Sequence, residues 1–521
     1  MAFITPYWIL DGMIVLTASV TVAYLYMTRK FKYWKERGVS EISPIPFLGN
    51  FTACILKKKS PGRLLKEFYD QAKGQPYVGF FIFDKPLLLV RDHELVKNVL
   101  TKDFNHFSDR YFTPDETDRL GYANLFFIKN PMWRMLRLNM TSFFTPGKLK
   151  KMLELIDECA ENLVEYLDSM NLGSRGKIME VKELSGKFST DVIGSTAFGL
   201  STNSFKNPDA EFCKYGKMIF GPARSFEILA VTFMPLLSRL AGFTLFGKQT
   251  DVFLRKVFWE TIAQRTKSGE RRNDLIDILI ELKKNHGDKD NEGFKFNGDD
   301  LLAQAGIFFA AGYETSATTM AFMLYELALH PEIQNRLREE ILQALVKSDG
   351  KATYEMLMSL SYLDMVLFET LRIYPPLEYL QRLTTKVYNI PNSSLVIEKG
   401  TPIFISVRGL HYDPDYFPNP EKFDPERFNE DNKRNRPVYV HLPFGEGPHA
   451  CIGTRMGLLE MKLAFVKILS KFEVEPCEET LIPMKLDPNG VLTTPSGGVI
   501  YLNIRKINNN EELQIVQPKN N

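Results

Sequence analysis

The sequence predicts a mainly α-helical protein with a small β-rich lobe, an α+β fold class, preceded by an N-terminal transmembrane helix. Apolar residues follow helical spacing from about residue 148 to 200 and again over 251–282. Roughly 30 residues from 297 onward contain no proline until Pro331, enough for a helix of about 45 Å. Strands are predicted at 76–90, where aromatic and β-branched residues flank an Asp-Lys-Pro turn.

The long predicted helix has recognisable ends. Asn297 offers a capping side chain, and Asp299 and Asp300 supply first-turn acids, so we expect the helix to begin there. Pro331 ends it and opens the next helix, which runs to about Leu345. A helix of this length is expected to cross the middle of its domain.

Composition is that of an ordinary globular protein. The 521 residues are 44% hydrophobic and 25% charged, which leaves room for a large core with a buried cofactor. A net charge of +2 gives no basis for binding nucleic acid. Five cysteines without a CxxC pair argue against a disulfide framework, a zinc ribbon and an iron–sulfur site: Cys54, Cys159, Cys213, Cys451 and Cys477.

The N-terminus predicts an uncleaved membrane anchor. Residues 7–27 are mostly apolar and long enough to cross the hydrocarbon core as a helix. A cleaved signal peptide, the alternative, needs basic residues before the apolar run and small residues after it, and neither is present. Positive charge stays cytoplasmic, so the rest of the chain should face the cytosol, given the basic residues that follow: Arg29, Lys30, Lys32, Lys35 and Arg37.

Four regions are predicted along the chain. The anchor takes residues 1–28, and a basic, proline-containing linker takes 29–50. One large domain is predicted at 51–507 and a polar C-terminal tail at 508–521. A second apolar stretch at 226–246 has a proline in its middle, which favours two short helices and a loop over a second membrane span.

The most specific chemistry surrounds Cys451. The chain reads Phe-Gly-Glu-Gly-Pro-His-Ala-Cys-Ile-Gly from Phe444 to Gly453, and the glycines and proline before the cysteine predict a tight, non-helical loop. Residues 454–469 follow as a predicted helix, whose N-terminal N–H groups would favour a thiolate, a soft metal ligand. The structural alternative is a buried cysteine in a glycine-rich turn.

This segment resembles the haem-binding loop of the cytochromes P-450, Phe-x-x-Gly-x-x-x-Cys-x-Gly. The resemblance implies the cytochrome P-450 fold, with Cys451 as the axial ligand of the haem iron. It also places Phe444, Gly445 and Gly453 among the haem contacts. His449 stands where many relatives carry an arginine that contacts a haem propionate, and the charge of a histidine at neutral pH is conditional.

A second motif, Ala311-Gly312-Tyr313-Glu314-Thr315-Ser316, lies midway along the long predicted helix. It is similar to the family's oxygen-activation sequence, small-Gly-x-acid-Thr. Gly312 would let a flat ligand and dioxygen approach, and the Thr315 hydroxyl can bond its own backbone and leave a polar notch. The resemblance implies that Glu314 and Thr315 organise proton delivery and that Ala311 lies against the haem. Taken alone, a solvent-facing Glu314 would be the default.

Glu369 and Arg372 form a third motif. They are three residues apart on one helix face, which by itself predicts only a weak surface salt bridge. The resemblance instead implies a buried pair, joined by Arg427 into a structural network that supports the cysteine loop. Two arginines around one carboxylate also suit its two oxygens.

Three further residues resemble propionate contacts of the family. Trp133 and Arg137 lie one helical turn apart, and both can donate hydrogen bonds to a carboxylate. Arg382 follows a Pro-Pro turn and resembles another such contact. As isolated features, all three would be expected on the surface.

The resemblance extends over nearly the whole chain and looks like the insect detoxifying branch of the microsomal enzymes. It implies a monooxygenase that inserts one oxygen atom of O2 into lipophilic substrates, either xenobiotics or endogenous compounds such as hormones and fatty acids. The implied cofactor is haem b, with NADPH supplying electrons through a separate NADPH-cytochrome P-450 reductase. Cytochrome b5 and membrane lipid are further expected partners. The expected location is the endoplasmic reticulum membrane, with the catalytic domain on its cytoplasmic face.

Docking of the reductase is expected near the Cys451 loop, where basic residues would attract an acidic partner: Lys433, Arg434, Arg436 and Arg455. Other functions are disfavoured by single features. A haem-thiolate isomerase or dehydratase would not need Thr315, and a non-catalytic haem protein would not need an undamaged loop. A histidine-metal hydrolase is unsupported, because the seven histidines form no His-x-x-x-His pair.

Overall fold

The computed structural model describes residues 5–173, 175–207, 209–272, 274–287 and 293–507, so the predicted polar tail lies outside the described residues. The α-helices are α1 Trp8–Thr28, α2 Thr52–Ile55, α3 Pro61–Gln71, α4 His93–Lys97, α5 Arg119–Tyr122, α6 Met132–Thr141, α7 Pro146–Ser169, α8 Val181–Ile193, α9 Glu211–Ile219, α10 Ser225–Phe233, α11 Pro235–Ala241, α12 Lys248–Ser268, α13 Leu275–His286, α14 Gly298–Leu329, α15 Pro331–Lys347, α16 Tyr354–Ser359, α17 Ser361–Ile373, α18 Val407–His411, α19 Glu430–Asn435 and α20 Thr454–Leu469. The strands are β1 Tyr77–Ile82, β2 Lys85–Val90, β3 Lys177–Glu180, β4 Tyr379–Leu383, β5 Tyr388–Asn389, β6 Val396–Ile397, β7 Pro402–Ser406, β8 Phe472–Glu475 and β9 Tyr501–Lys506.

The chain divides into two compact units. The first comprises residues 5–111, 378–410 and 438–440. It holds a four-stranded sheet in the order β1-β2-β7-β4, in which β2 and β7 are parallel and the other neighbours antiparallel. Long apolar and β-branched side chains on its central strands are fully buried, as in Leu88 and Ile405, so the sheet forms the core of this unit.

The second unit comprises the described residues within 112–377, 411–437 and 441–507 and is built around α14. Most of α14 is buried, because α8 packs along it and α5, α9, α12 and α17 also contact it. A helix that is apolar on nearly all sides needs such a central position. The three-stranded sheet β3-β9-β8 belongs to the same unit.

The predicted fold class is confirmed, since helices predominate and the sheets are small. The long helix is confirmed as well: α14 has 32 residues, and α15 opens at Pro331. The capping prediction is wrong, because the Asn297 side chain makes no capping hydrogen bond to α14. Acidic residues do occupy the first turn, as predicted.

The prediction of helical structure throughout 148–200 is wrong at β3. Lys177–Glu180 pairs antiparallel with β9, more than 300 residues later in the chain, so a partner outside the predicted helix decides its conformation. Gly173 and Gly176 precede it with positive φ angles, which end the helical run.

Two apolar segments take the predicted forms. Among the described helices, α1 is the one long and apolar enough to cross a membrane, with a mean hydropathy of 1.7, and its side chains are largely exposed. The stretch at 226–246 forms two short helices, α10 and α11, which are separated at Met234 before Pro235.

Candidate active site

The Cys451 loop is a tight turn that ends at α20. Gly445 and Gly447 have φ angles of 67° and 75°, in the left-handed region where a side chain would be strained. The Cys451 N–H donates to the Phe444 carbonyl at 2.8 Å, which closes the loop on itself. The Thr454 hydroxyl donates to the Cys451 carbonyl at 3.0 Å, so the cysteine is held three residues before the helix begins.

Cys451 differs from the other cysteines in its exposure. Its side chain is exposed, whereas Cys54, Cys159 and Cys213 are buried. Burial raises the pKa of the Cys54 thiol to about 12 and raises that of Cys159 as well, so these thiols resist ionisation. Cys451 is therefore fixed by its backbone and accessible to a ligand, unlike these three buried cysteines.

Three of the residues that are predicted to contact haem propionates lie in this loop or beside it. The Arg137 guanidinium of α6 donates to the Ala450 carbonyl at 2.8 Å. The rings of Trp133 and His449 lie in contact, with centroids 4.0 Å apart. Burial lowers the pKa of Arg137, and the negative charge of Cys451 opposes that shift. The structure thus brings Trp133, Arg137, His449 and Cys451 together within the second unit.

Arg382 lies in the first unit, on β4, opposite Ile403 of β7. It is buried, its Nη1 donates to the Gln381 carbonyl at 2.8 Å, and its Nε has no hydrogen-bond partner among the described residues. Burial lowers the pKa of Arg382 to about 10. A buried guanidinium with an unused N–H is a suitable partner for a carboxylate.

The middle of α14 combines a local opening with close packing. Ala311 is exposed and Thr315 half-exposed, and the Thr315 hydroxyl donates to the Ala311 carbonyl at 2.6 Å. A Cβ atom at Gly312 would lie 2.8 Å from Cδ1 of Ile193, on α8. The glycine at 312 therefore permits close packing of α14 against α8.

Glu314 faces away from this opening. Its carboxylate is buried and pairs with Nζ of Lys182 at 2.8 Å, while Thr318 donates to it at 3.1 Å. Within the described part of the chain, Glu314 thus bonds to α8 and to its own helix, and its contacts do not include Thr315. Any proton exchange between Glu314 and Thr315 would need water between them.

One residue after Thr315, α14 contacts α20, the helix that follows Cys451. Ser316 forms a hydrogen bond with the Glu460 carboxyl, and a Cβ at Gly457 would lie 3.9 Å from the Ser316 hydroxyl. Ser316, Gly457 and Glu460 therefore connect the Ala311–Ser316 motif with the helix that follows Cys451. Sequence reasoning missed Glu460, although an acid on the apolar face of a predicted core helix was a usable signal.

Glu460→Gln should change how stability depends on pH. Burial raises the pKa of Glu460 to about 8, so between about pH 4.5 and 8 the folded chain keeps a proton that the unfolded chain releases. Raising the pH through this range therefore lowers the free energy of unfolding, on the order of 3–5 kcal/mol in total. Glutamine cannot ionise, so the variant should be more stable than the wild type at pH 8 and similar to it near pH 4.5.

The measurement is the melting temperature of the full chain in detergent at a series of pH values. Glu430→Gln, at an exposed carboxylate on α19, is the control and should keep the wild-type dependence. Identical pH profiles for Glu460→Gln and wild type would show that Glu460 is ionised in the folded protein.

Glu369, Arg372 and Arg427 form a buried network. Arg372 binds Glu369 through two parallel hydrogen bonds of 2.7 and 2.8 Å, and both side chains are 0% exposed. Arg427 Nε lies 3.3 Å from the same carboxylate, which also accepts the Asp424 N–H at 2.9 Å. Arg372 donates further to the His411 carbonyl at 3.0 Å. The carboxylate is thus fully used by donors, as a buried charge requires.

His411 links this network to the cysteine loop and was missed by sequence reasoning, since no motif contains it. Its Nε2 lies 2.9 Å from the Leu442 N–H, which can only donate, so Nε2 must be the acceptor. The ring proton is therefore on Nδ1, which donates to the Arg372 carbonyl at 3.1 Å. Leu442 in turn accepts the Gly445 N–H at 3.0 Å, at the start of the loop.

One of the basic residues expected at the docking surface has another position. Arg436 is half-buried between the rings of Phe417 and Phe428, 4.6 and 4.7 Å from their centroids, and donates to the Arg427 carbonyl. Burial lowers its pKa to about 10. Arg436 is therefore a packing residue, and its assignment to a solvated patch is corrected. Lys433, Arg434 and Arg455 are exposed.

Comparison with known proteins identifies the family. A family model for cytochrome P450 matches residues 40–502. The chain is 46% identical to cytochrome P450 6k1 of Blattella germanica, over 95% of this chain and 98% of that protein. It is 42% identical to probable cytochrome P450 6g2 of Drosophila melanogaster, over 94% and 97%. Cytochrome P450 6j1 of Blattella germanica is 41% identical, over 93% and 96%.

Fold, loop and relatives define an oxidoreductase of the haem-thiolate class, a monooxygenase that uses haem and dioxygen. The chain belongs to the cytochrome P450 family. Residues of the second unit fit the implied cofactor, because the accessible Cys451 lies beside the half-buried Arg137. In the first unit, the unused N–H of Arg382 suits a carboxylate. Members of this family generally receive electrons from a redox partner.

Proposed function

We propose that this chain inserts one oxygen atom of O2 into lipophilic substrates, xenobiotic or endogenous, with electrons from NADPH through a separate NADPH-cytochrome P-450 reductase. The observation that carries the proposal is the exposed Cys451 on a closed loop beside Arg137. The test is product formation by the full chain with reductase, NADPH and dioxygen. Turnover that persists without NADPH would favour an isomerase or dehydratase instead.

Several residues would hold haem b. Cys451 would supply the thiolate ligand, with Phe444, Gly445 and Gly453 shaping the loop around it. The propionates would be contacted by Trp133, Arg137, His449 and Arg382, and Ala311 would also contact the haem. When bound, haem supplies the oxygen-activating iron, and a thiolate ligand favours cleavage of the O–O bond.

Thr315 and Glu314 are the proposed proton-delivery residues. Because Thr315 Oγ1 donates its proton to the Ala311 carbonyl, its lone pairs remain to accept hydrogen bonds from water in the notch. Glu314, held by Lys182, would replace protons through water and not by direct contact. The two residues thus hold and supply protons at different points of one path.

Thr315→Ala should uncouple the consumption of NADPH from product formation. We expect product per NADPH to fall on the order of tenfold, with the difference recovered as hydrogen peroxide, because the hydroxyl that positions proton-delivering water in the notch is lost. Haem content should be unchanged. Thr319→Ala is the matched control, since Thr319 is buried on the same helix and makes the same bond to a carbonyl four residues earlier. Unchanged coupling in Thr315→Ala would show that proton delivery does not depend on this hydroxyl.

The proposed location is the endoplasmic reticulum membrane, with the catalytic residues on the cytoplasmic face. Helix α1 and the basic residues after it support this orientation. Leu236 and Leu240 of α11 are 61% and 76% exposed and would contact membrane lipid. The reductase, and cytochrome b5 as a second electron donor, would meet exposed Lys433, Arg434 and Arg455.

A lipophilic substrate is supported by the aromatic side chains of the second unit. Phe112 and Phe233 are in edge contact, with centroids 4.6 Å apart. The rings of Phe144 and Phe308 are stacked, with centroids 5.8 Å apart. Phe308 lies one helical turn before Gly312 on α14. Such surfaces bind apolar ligands through burial and ring contacts, with few polar groups to fix orientation.

A further inference from the structure

Segment 118–127, which contains α5, is fastened to α14 at two points. At the outer point, the Arg119 guanidinium forms a bidentate ion pair with Asp300, and Nη2 lies 2.6 Å from Oδ2. At the inner point, one helical turn further along α14, the Gln304 side chain bonds to the backbone on both sides of Asn124. The backbone of this segment is therefore hydrogen-bonded to the long helix, in addition to any packing of side chains.

The Gln304 amide is the buried attachment. Its side chain is 0% exposed, its Oε1 accepts the Leu125 N–H at 2.9 Å, and its Nε2 donates to the Ala123 carbonyl at 2.8 Å. Asn124, also 0% exposed, accepts the Phe126 N–H at 3.0 Å and donates to the Leu120 carbonyl at 2.9 Å. Because both amide side chains use their donors and acceptors, the backbone between them has one favoured position.

Gln304 lies on the face of α14 that carries Ala311 and Thr315. Residues seven apart complete about two helical turns, so position 311 lies about 10 Å further along the axis. Phe126 and Phe127 follow Leu125 directly, are half-buried, and have ring centroids 4.8 Å apart. The bond between Leu125 and Gln304 therefore determines where these two rings lie along α14.

We propose that Gln304 is a positioning residue for substrate. By fixing segment 118–127 on α14, it holds Phe126 and Phe127 beside the face of α14 that carries the notch at Ala311 and Thr315, and so controls how readily a lipophilic ligand enters and leaves. This inference rests on the haem monooxygenase function proposed for the notch. Gln304 acts through the backbone of its neighbours, since loss of its amide leaves a buried N–H and a buried carbonyl without partners, which favours local opening.

Gln334 provides a matched control for a purely structural role. It is 3% exposed, its Nε2 donates to the Leu327 and Val474 carbonyls at 3.0 and 2.9 Å, and its Oε1 accepts the Val474 N–H at 2.9 Å. Gln334 thus makes the same kinds of bond as Gln304, but to β8 instead of segment 118–127. Gln334→Leu should cost comparable stability without releasing the segment.

The test compares Gln304→Leu with Gln334→Leu in the haem-loaded full chain in detergent. The probe is 4-phenylimidazole, a nitrogen ligand of haem iron, and its binding and release are followed by the shift of the Soret band. We expect release about tenfold faster in Gln304→Leu, because the segment opens more often, and a wild-type rate in Gln334→Leu. A wild-type rate in Gln304→Leu, or an equal increase in both variants, would overturn the proposal.

Hydrogen exchange supplies a measurement that needs neither a ligand nor a variant. In the wild type, the Leu125 amide should exchange as slowly as the Val474 amide, because each is bonded to a buried glutamine. Fast exchange at Leu125 would overturn the attachment through Gln304. A wild-type chain that takes up no haem, and so has no Soret band to shift, would instead contradict the proposed haem function, which keeps the two failures distinguishable.

Discussion

Cys451→Ala and Cys451→His are expected to abolish the red-shifted Soret band that the reduced wild-type protein should give with carbon monoxide. Thiolate ligation produces that band, and alanine offers no ligand, whereas histidine offers a nitrogen. Monooxygenase turnover should fall to background in both variants, since the remaining cysteines are elsewhere in the fold. The measurements are the difference spectrum and product formation with reductase and NADPH.

Cys477→Ser is the matched control, because Cys477 is half-exposed and lies outside the loop. It should keep both the band and the activity. The histidine variant adds information, since it can retain haem with a changed spectrum and so separates ligand identity from haem loss. A red-shifted band that survives in Cys451→Ala would remove Cys451 from its proposed role.

Glu369→Ala is expected to prevent accumulation of folded, haem-loaded protein. The substitution leaves the Arg372 guanidinium, which is 0% exposed, without its carboxylate, and loss of one partner from a buried pair costs about 3–5 kcal/mol. A loss of this size is a large part of the net stability of a typical domain, about 5–15 kcal/mol. The measurements are the yield of folded protein, its haem content and its melting temperature.

An exposed ion pair is the comparison that shows how much burial adds to the stability lost when a glutamate is removed. Glu430 and Lys433 lie 3.3 Å apart on α19, with the glutamate side chain 75% exposed, so Glu430→Ala should cost no more than about 1 kcal/mol. The contrast between the two glutamates tests whether the Glu369 network is needed for the fold. Wild-type yield and melting temperature in Glu369→Ala would contradict the assigned structural role.

Local signals explain which elements could be predicted. Prolines and apolar spacing mark the ends of α14 and α15, and glycines followed by an apolar run mark the Cys451 loop and α20. β3 could not be found in this way, because its conformation depends on pairing with β9. The Asn297 side chain fits a capping pattern but does not cap, since the pattern specifies residue type and not side-chain direction.

The candidate site also contains residues that sequence motifs could predict and residues that they could not. The family resemblance predicts that Trp133, Arg137 and Cys451 act together, and the structure places Trp133 and Arg137 beside the Cys451 loop. Gln304 and His411 belong to no motif, because each is a single polar residue whose partners are backbone groups distant in sequence. Only the folded chain shows which buried backbone N–H and carbonyl groups these two side chains satisfy.

The aromatic enclosure of Arg436 has a consequence for association kinetics. The guanidinium keeps its positive charge, because the two rings and the carbonyl acceptor carry no opposing net charge, so it still adds to long-range attraction. Its side chain is held in place by these contacts and is less able than an exposed arginine to reach a carboxylate of another protein. We therefore expect Arg436 to affect the encounter rate, and the exposed Arg434 and Arg455 to form direct ion pairs with an acidic partner.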